Sequence, residues 1–327
     1  MRNPGRRLSG RRRARGRGRR RRARGGRHRV RARGARTARS SDCGGSRTGA
    51  RVLVGGDRAP DRGRVSRGDR RVKVSAIVIA TGREETKLLG RSVPALLPHV
   101  DELVIVANGP GSVDGDGPAG VRVLRNDRVL GFSANINAGT AATSGEYVVV
   151  SNPDAVAEPD AIAALVQFAD AHPRCGVAGP KMINPDGTLQ ASRRSFPTIA
   201  GSLVRRTPLR KLFPPLKWQR RHYLLDAPTD RPLQVDTMLG AFLLMRRTML
   251  EELGGWDAGY QLYVDDIDLN YRAMKAGWER WWVPAAVVHH EYQAVIDKRF
   301  FTRRNWWHLK AMVRFLRKHP ERLLALR

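Results

Sequence analysis

The sequence predicts an α/β fold in which a mostly parallel central sheet is flanked by helices. Residues 74–80 (VSAIVIA) form a short, continuous and β-branched run, which is the pattern of a strand buried on both faces. Comparable runs follow at residues 103–107, 121–124 and 147–150. Segments with helical spacing separate these runs, and that alternation indicates βαβ units joined by right-handed crossovers.

Two helices are predicted in the first half of this region. Residues 84–97 have helical spacing and end at Pro98. Glu158-Pro159 opens the other helix, because proline suits a first turn, and His172-Pro173 closes it. Its inner apolar stripe consists of Ile162, Leu165, Val166 and Ala169.

The alternation continues in the second half. Asn184-Pro185-Asp186-Gly187 is a β-turn by composition and joins a strand near residues 177–182 to one at 188–192. A further helix ends at Gly277, since glycine is favoured just past a helix, and residues 286–288 form a strand after it.

The first 70 residues differ in composition from the rest. They hold 26 arginines, no lysine and four aspartates, with almost no aliphatic residues. Because such a segment cannot bury enough apolar surface to offset chain entropy, residues 1–71 are expected to be disordered. Arginine without lysine is also what a GC-rich frame yields upstream of a true start, and we favour a start near Val72. A solvated tail and a tail that binds nucleic acid or anionic lipid are the alternatives.

The cysteines and the hydropathy predict a cytoplasmic protein. No window reaches the roughly 18 apolar residues that a membrane span needs. Arg6-Arg7 precedes no apolar segment of a signal peptide. Cys43 and Cys175 lie far apart, so neither a disulfide framework nor a cysteine metal cluster is expected.

Polar residues follow the strand at 147–150 where it ends. Pro153 cannot continue a central ladder, so the chain must turn within Ser151-Asn152-Pro153-Asp154. Asn152 and Asp154 therefore lie at the carboxyl end of a strand, where open α/β sheets hold their ligands. A carboxylate there suits a hard divalent cation shared with phosphate oxygens. For this segment alone, a simple Asn-Pro-Asp turn is the alternative.

The stretch 125–159 resembles the family 2 glycosyltransferases of the GT-A fold, particularly their rhamnosyltransferase-like branch. That family has the pattern RNxxNxGFxxxxNxG, followed by a strand and NPD, its variant of the metal-binding DxD motif. The matching residues are Gly131, Phe132, Asn137, Gly139, Asn152 and Asp154, while Val129 replaces the second Asn. The resemblance covers roughly residues 73–320. It implies one Rossmann-like GT-A domain at 72–298, followed by a basic amphipathic helical segment at 299–327.

By this resemblance, the ends of the first strands hold the nucleotide of a nucleotide-sugar donor. The first such segment lacks the family's Tyr-Asn pair, and the second has Ala107 where an Asp commonly contacts the base. These departures count against a uridine donor and leave thymidine or guanosine donors open. A later segment, VDTMLGAFLLMRR, is similar to the family's VxxxxGAxLLxRR, whose small residues let a sugar approach the backbone. The expected donor contacts are Thr81, Arg83, Asn108, Gly131, Phe132, Asn137, Asn152, Asp154, Gly240 and Ala241.

The segment EELGGWD is similar to the family's GGFD element. The resemblance makes Trp256 and Asp257 the expected acceptor contacts, because an aromatic face suits the C–H groups of a sugar ring. A tryptophan of the hydrophobic core is the alternative interpretation.

Three carboxylates stand within four residues at the start of the following helix. This exceeds what helix capping needs, and like charges held together raise at least one pKa, as a general base requires. Asp265 and Asp266 match the family's [ED]D pair, whose second acid is the base. We expect Asp266 to be the base, Asp265 to orient it or the acceptor, and Asp268 only to cap the helix.

The strand at 286–288 leads into His289 and His290, within a segment similar to the family's HHxxQS. There a histidine completes the metal site or contacts the diphosphate, and neutral imidazole binds Mn²⁺ beside carboxylate. Adjacent strand residues point to opposite faces, so only one of the two can join Asp154, and the sequence does not decide which. The expected cofactor is a divalent metal ion, Mn²⁺ or Mg²⁺.

Residues 299–327 are basic and aromatic. Helical spacing gives an apolar stripe with basic residues nearby, which suits a helix on an anionic membrane surface. It equally suits a helix docked on the catalytic domain. The stripe consists of Trp307, Met312, Phe315 and Leu316.

The resemblance implies an inverting glycosyltransferase of cell-envelope polysaccharide synthesis, at or near the inner face of the membrane. Rhamnose or a related deoxyhexose is the expected sugar, and a glycan or polyprenyl-linked hydroxyl is the expected acceptor. A nucleotidyltransferase is one alternative, although it would normally show a glycine-rich triphosphate loop. A nucleic-acid-binding protein acting through its arginine-rich tail is another. We expect no specific nucleic-acid partner, because aromatic interleaving, zinc spacing and a recognition helix are missing from the sequence.

Overall fold

The computed structural model describes residues 73–197, 217–291 and 303–324, so the predictions for segment 1–71 lie outside it. The strands are β1 (Val74–Ala80), β2 (Glu102–Ala107), β3 (Arg122–Arg125), β4 (Tyr147–Ser151), β5 (Ala155–Ala157), β6 (Cys175–Ile183), β7 (Arg193–Arg194), β8 (Leu233–Gln234), β9 (Thr237–Met238), β10 (Phe242–Arg246) and β11 (Glu279–His290). The helices are α1 (Gly82–Leu96), α2 (Phe132–Ala141), α3 (Ala161–Ala171), α4 (Lys217–His222), α5 (Arg247–Glu252), α6 (Asp265–Lys275), α7 (Arg303–Lys318) and α8 (Glu321–Leu324), with a 3₁₀ turn at Leu97–His99.

Nine strands form one sheet in the order β3-β2-β1-β4-β10-β6-β11-β5, with β8 also paired to β11. Six of the nine run in one direction, whereas β5, β8 and β10 run against them. The predicted mostly parallel sheet is therefore confirmed. Strands β7 and β9 pair separately, and Arg193 of β7 lies 4.1 Å from the centre of the Trp282 ring of β11.

Helices cover both faces of the sheet, as the continuous apolar strands predict. Successive residues of β1 point to opposite sides. Val78 packs in a core that includes Leu165 of α3, whereas Ile77 packs in a core that includes Ile136 of α2. This arrangement leaves the carboxyl ends of the strands as the open edge where polar loops collect.

Three predicted boundaries differ from the structure. Helix α3 begins at Ala161 rather than at Glu158-Pro159, because the Glu158 amide donates to the Val287 carbonyl and ties that residue to β11. Residues 188–192 form an isolated bridge at Leu189 instead of a strand. Strand β11 begins well before residue 286 and passes Pro284 by an irregularity in its pairing with β6, since proline cannot donate to the ladder.

Helix α7 is docked on the domain through one face. Ala311 and Phe315 are buried in a third hydrophobic cluster together with Tyr260 and Tyr271. Of the two alternatives for the C-terminal segment, the structure thus shows a helix docked on the catalytic domain through the face that carries Ala311 and Phe315. Among the described residues, the structure contains no helix long and apolar enough to span a bilayer.

Candidate active site

The side chain of Asn108 ties together the loops at the carboxyl ends of β1 and β2. It is 4% exposed and follows β2 directly. Its Nδ2 donates to Thr81 Oγ1 at 3.0 Å and to the Leu130 carbonyl at 3.1 Å, while its Oδ1 accepts from the Leu130 amide at 2.8 Å. Both the amide nitrogen and the amide oxygen of Asn108 are hydrogen-bonded within the protein. Asn108 therefore positions Thr81 and the backbone of Leu130 at the predicted donor site. Arg83, also predicted there, is exposed in the first turn of α1.

Two asparagines that the sequence analysis did not single out extend this network. Asn126 donates to Asn135 Oδ1 at 2.6 Å, and Asn135 donates to the Gly131 carbonyl at 3.0 Å. A Cβ on Gly131 would lie 2.8 Å from the Tyr260 carbonyl oxygen, so glycine lets the start of α2 approach that backbone. The sequence signal that could have identified these two asparagines is the repetition of asparagine in RNDRVLGFSANIN. Closely spaced amides that become buried need hydrogen-bond partners, and they can supply them to one another.

The predicted sugar platform at Trp256 is wrong. Its side chain is 2% exposed and packs in the core, with the Phe132 ring at 5.8 Å in an edge arrangement. Asn137, predicted to contact the donor, holds the backbone of this tryptophan instead. Its Nδ2 donates to the Trp256 carbonyl at 2.7 Å, and its Oδ1 accepts from the Trp256 amide at 2.9 Å. The two hydrogen bonds between Asn137 and the backbone of Trp256 therefore hold α2 against the GGWD turn.

Asp154 and His290 face each other beyond the carboxyl end of β4. His290 is 3% exposed, and its Nε2 lies 3.3 Å from Asp154 Oδ1. Its Nδ1 lies 2.9 Å from Gln190 Oε1. Gln190 donates through Nε2 to Asn184 Oδ1 at 2.8 Å, which fixes the orientation of its amide. Nδ1 of His290 can therefore donate to Gln190 Oε1, and Nε2 of the same ring faces the Asp154 carboxylate.

A proton or a cation between an imidazole nitrogen and a carboxylate oxygen stabilises a contact of this kind. Carboxylate oxygen and imidazole nitrogen fit a divalent ion such as Mn²⁺, and the Gln190 contact is the outer-shell support that such a histidine usually has. His289 points away, since its side chain is 52% exposed and its Nε2 lies 2.9 Å from Glu158 Oε1. Of the two histidines between which the sequence did not decide, His290 is the one that faces Asp154 and His289 is not. Within the described ranges, no three His, Cys, Asp or Glu residues converge as a complete metal cluster.

Gly240 and Ala241 connect the Asp154 loop to the acidic helix. The Asn152 amide donates to the Ala241 carbonyl at 2.7 Å. The Gly240 amide donates to Asp266 Oδ2 at 3.2 Å. Adjacent residues of one segment therefore hold the NPD loop and the acidic pair, which lie more than 100 positions apart in the sequence.

Asp265 and Asp266 start α6 with different surroundings. Asp265 is 7% exposed and lies 3.5 Å from Ser133 Oγ, whereas Asp266 is only half-buried. Burial and then the charge of Asp266 raise the pKa of Asp265. Burial also raises the pKa of Asp266, and the positive charge of Arg194 opposes that rise. Asp266 is thus the more accessible member of the pair.

Arg194 is a candidate that the sequence analysis missed. It lies in β7, opposite Thr237 of β9, on the small sheet beside α6. Its charge favours the ionised form of Asp266. No motif marks it, because an arginine in the run SRRSFP gains this role only when β7 pairs with β9.

The backbone that precedes α6 is strained. Tyr263 and Val264 have φ values of 70° and 66°, and a β-branched residue in this left-handed region costs on the order of 1–3 kcal/mol. Val264 is 2% exposed and packs in the third cluster, which holds the turn in place. These two residues lie directly before the acidic pair, and their backbone conformation sets the direction in which α6 starts.

Asp257, predicted to contact the acceptor, is paired with two cations of α7. Its carboxylate, 14% exposed, binds Arg314 Nη2 at 2.9 Å and Lys318 Nζ at 2.9 Å. Although burial raises it, the hydrogen bonds from these two cations hold the pKa of Asp257 well below its usual range. Asp257 therefore anchors α7.

Asp268 is more than a helix cap, so that prediction is also wrong. It is fully buried, and the hydrogen bonds to its carboxylate come from other side chains rather than from backbone amides at the helix start. Its carboxylate fastens α6 to α7 and to the residues that follow α7. The donors to it are Arg272 Nε at 2.7 Å, Lys318 Nζ at 3.0 Å, His319 Nε2 at 3.0 Å and Tyr260 OH at 3.2 Å.

Residues 76–315, which include Asp154, Asp266 and His290, match the model of the glycosyltransferase-like family 2. The chain belongs to this family. The NPD loop, the acidic pair and the histidine-bearing strand thus occupy one edge of a family 2 glycosyltransferase domain.

Two relatives of this family 2 domain are rhamnosyltransferases. N-acetylglucosaminyl-diphospho-decaprenol L-rhamnosyltransferase of Mycobacterium tuberculosis (strain ATCC 25618 / H37Rv) is 36% identical over 202 residues, which cover 55% of this chain and 64% of that protein. The match thus spans just under two thirds of that relative. Rhamnosyltransferase WbbL of Escherichia coli (strain K12) is 37% identical over 93 residues, covering 28% of this chain and 34% of that protein.

A solved structure shares the fold of this family 2 domain. GalNAc-T7, determined with UDP, GalNAc and Mn²⁺, superposes with a TM-score of 0.53 at 18% identity, over 76% of this chain and 48% of that one. The likeness confirms the predicted GT-A fold.

Proposed function

We propose that this chain is an inverting glycosyltransferase that moves a sugar from a nucleotide-sugar to a hydroxyl acceptor in a single displacement. The observation that carries the proposal is the link through Gly240 and Ala241. It holds a carboxylate–imidazole pair suited to a metal ion beside a second pair of carboxylates suited to proton transfer. A nucleotide-sugar transfer needs both, because one end of the reaction must neutralise a departing diphosphate while the other accepts a proton.

In this proposal, Asp266 is the general base. It reaches solvent, its Oδ2 is oriented by the Gly240 amide, and its raised pKa gives the carboxylate more basicity than an ordinary aspartate. Asp265 stays buried behind it, and burial together with the charge of Asp266 raises the pKa of Asp265. Asp266 then takes the proton of the acceptor hydroxyl as that oxygen attacks the anomeric carbon and the bond to the diphosphate breaks.

Asp154 and His290 would hold a divalent metal ion, whose chemistry when bound is charge neutralisation of the diphosphate. Two protein ligands leave room for phosphate oxygens of the donor, which such ions commonly share with one or two carboxylates. The contact of Gln190 with Nδ1 orients the imidazole of His290, so that its Nε2 faces the position of the metal ion beside Asp154. Thr81, Arg83 and the loop around Asn108 supply the surface for the nucleoside.

For the substrates, we infer rhamnose or a related deoxyhexose as the sugar and a polyprenyl-linked glycan as the acceptor. Support comes from the relative that acts on a diphospho-decaprenol-linked sugar and from a second rhamnosyltransferase relative. A role in cell-envelope polysaccharide synthesis at the inner face of the membrane follows from that acceptor.

A paired binding and turnover experiment tests the proposal. Thermal shifts with uridine, thymidine and guanosine diphosphates, each with and without Mn²⁺, identify the nucleotide. Transfer from the matching nucleotide-sugar to a polyprenyl-diphosphate-linked N-acetylglucosamine is then followed by mass spectrometry. Metal-dependent binding of one nucleotide together with sugar transfer is expected. Binding of nucleoside triphosphates with release of pyrophosphate would instead favour a nucleotidyltransferase.

A further inference from the structure

Helix α7 has an outer face whose composition differs from that of its docked face. Positions spaced by three and four residues form one stripe on the side opposite Phe315. Three of its members are exposed large apolar side chains, and two are exposed basic ones. They are Trp306 at 57%, Leu309 at 42%, Val313 at 41%, Lys310 and Arg317.

The direction of this outer face is fixed by the inner contacts. Ala311 and Phe315 are 5% and 2% exposed in the third cluster. Arg314 and Lys318 flank them and bind the carboxylate of Asp257. A helix held by both its apolar face and its flanks cannot roll to bury Trp306 and Val313. The apolar stripe is therefore a stable property of the surface.

The charge of the outer face favours one kind of occupant. Helix α7 contains no acidic residue, and the Lys310 ammonium lies 5.5 Å from the centre of the Trp306 ring. A second copy of the same face would bring cations against cations. An anionic lipid surface instead pairs with Lys310 and Arg317, while the apolar side chains enter the boundary between headgroups and acyl chains.

We propose that the outer face of α7 is a docking surface for an anionic lipid bilayer. The membrane would then lie beside α6, since α7 packs on Tyr271 and binds Asp268 of that helix, whose first turn carries Asp265 and Asp266. The use of this surface, presenting a membrane-linked acceptor to the acidic pair, rests on the proposed function. The binding itself does not.

Co-sedimentation of the full chain with vesicles tests the surface in two matched pairs. The vesicles are phosphatidylcholine alone or mixed with phosphatidylglycerol, without donor or acceptor. Leu309→Ser is compared with Leu225→Ser, because Leu225 is similarly exposed at 48% on another part of the surface. Lys310→Glu is compared with Lys87→Glu, an exposed lysine of α1. All four side chains are exposed, so the fold should persist, and melting curves check this.

We expect Leu309→Ser and Lys310→Glu each to weaken binding to the anionic vesicles about fivefold or more, and their partners to leave it nearly unchanged. The arginine-rich segment adds a salt-sensitive background that all variants share. Raising the salt should screen that background, while the difference between the two leucine variants persists. Equal binding within both pairs would overturn the proposal. A change of oligomeric state in Leu309→Ser, seen by sedimentation velocity, would also overturn it and assign the face to a second copy.

The two proposals fail separately. Leu309→Ser should transfer sugar to a short, water-soluble acceptor at the unmodified rate and lose transfer to an acceptor embedded in anionic vesicles. Vesicle binding that depends on Leu309 and Lys310 in a protein without transferase activity would keep the surface and refute the proposed function. Transferase activity without such binding would do the reverse.

Discussion

The Nε2 atom of His290 lies 3.3 Å from Oδ1 of Asp154, and this contact joins two segments separated by more than 130 residues. Strand β11 delivers the histidine antiparallel to β5, where His290 pairs with Ala155, the residue after the aspartate. The register therefore selects His290 and turns His289 outward.

The chain carries a second Asn-Pro-Asp sequence, which provides a control for the first. Asp154→Ala should abolish the Mn²⁺-dependent part of stabilisation by a nucleoside diphosphate, because it removes the acidic ligand of the proposed site. Asp186→Ala should not, since Asp186 accepts from Thr188 within an exposed turn. Thermal shifts with and without Mn²⁺ measure both. Equal metal-dependent shifts in the two variants would refute the assignment of Asp154.

Gln190 is predicted to be a positioning residue for His290. Gln190→Leu should weaken Mn²⁺ binding about 10–100-fold, the usual effect of removing an outer-shell partner. Gln190→Glu keeps an acceptor opposite Nδ1 and should retain most of the affinity. His289→Ala, which removes the exposed neighbour, serves as the control. Manganese titration followed by electron paramagnetic resonance reads the affinity independently of turnover. An unchanged Mn²⁺ affinity in Gln190→Leu would show that the contact between Gln190 and His290 does not support metal binding.

Asp266→Asn should lower turnover about 10²–10⁴-fold while sparing donor binding, because an amide cannot accept the acceptor proton. Asp265→Asn should affect the rate less, since the buried member does not meet the acceptor. Transfer rates and nucleotide affinities for the two variants decide the assignment. If Asp265→Asn is the inactive one, the base is the other carboxylate. If both remain active, the acidic pair has no catalytic role.

Asp265 and Asp268 should affect stability with opposite pH dependence, although they share one helix. The pKa of Asp265 is raised by burial, so its protonated form stabilises the fold below the unfolded pKa, and that contribution is lost as pH rises through the folded value. Asp265→Asn should therefore raise the melting temperature at neutral pH and flatten its decline above about pH 4.

For Asp268, burial raises the pKa, but the hydrogen bonds from Arg272 and His319 outweigh it and lower the pKa overall. Its stabilisation is present above the unfolded pKa and lost as pH falls through the folded value. Asp268→Asn should cost about 3–5 kcal/mol at neutral pH, the typical loss when a buried ion pair is broken. Melting curves across pH measure both variants, and parallel pH profiles would contradict this prediction.

Arg194 should set the acidic limb of the pH–rate profile. Burial raises the pKa of Asp266, and the charge of Arg194 opposes that rise. Arg194→Gln should therefore move the acidic limb of kcat/KM to higher pH. Arg221→Gln, at an exposed arginine of α4, is the control for a simple loss of charge. An acidic limb at the same pH in both variants would remove Arg194 from the site.

The sequence by itself determined the α/β fold, the mostly parallel sheet and the positions of the polar loops. Those features are local: continuous apolar runs encode buried strands, and proline and glycine end them. The acidic start of α6 and the turn after β4 were predictable for the same reason. The boundaries that failed, such as the start of α3, depend on hydrogen bonds to distant strands, as the contact between Glu158 and Val287 shows.

Only the tertiary structure decided which polar residue does what. Trp256 and Asp257 stand in a motif that suggests a sugar contact, yet the first is buried by α2 and the second is neutralised by α7. The choice between His289 and His290 depended on the register of β11 against β5. Burial, register and the approach of charges from distant segments are non-local quantities. A single sequence therefore identifies the candidate site residues, while the packing of the folded chain determines what each of them does.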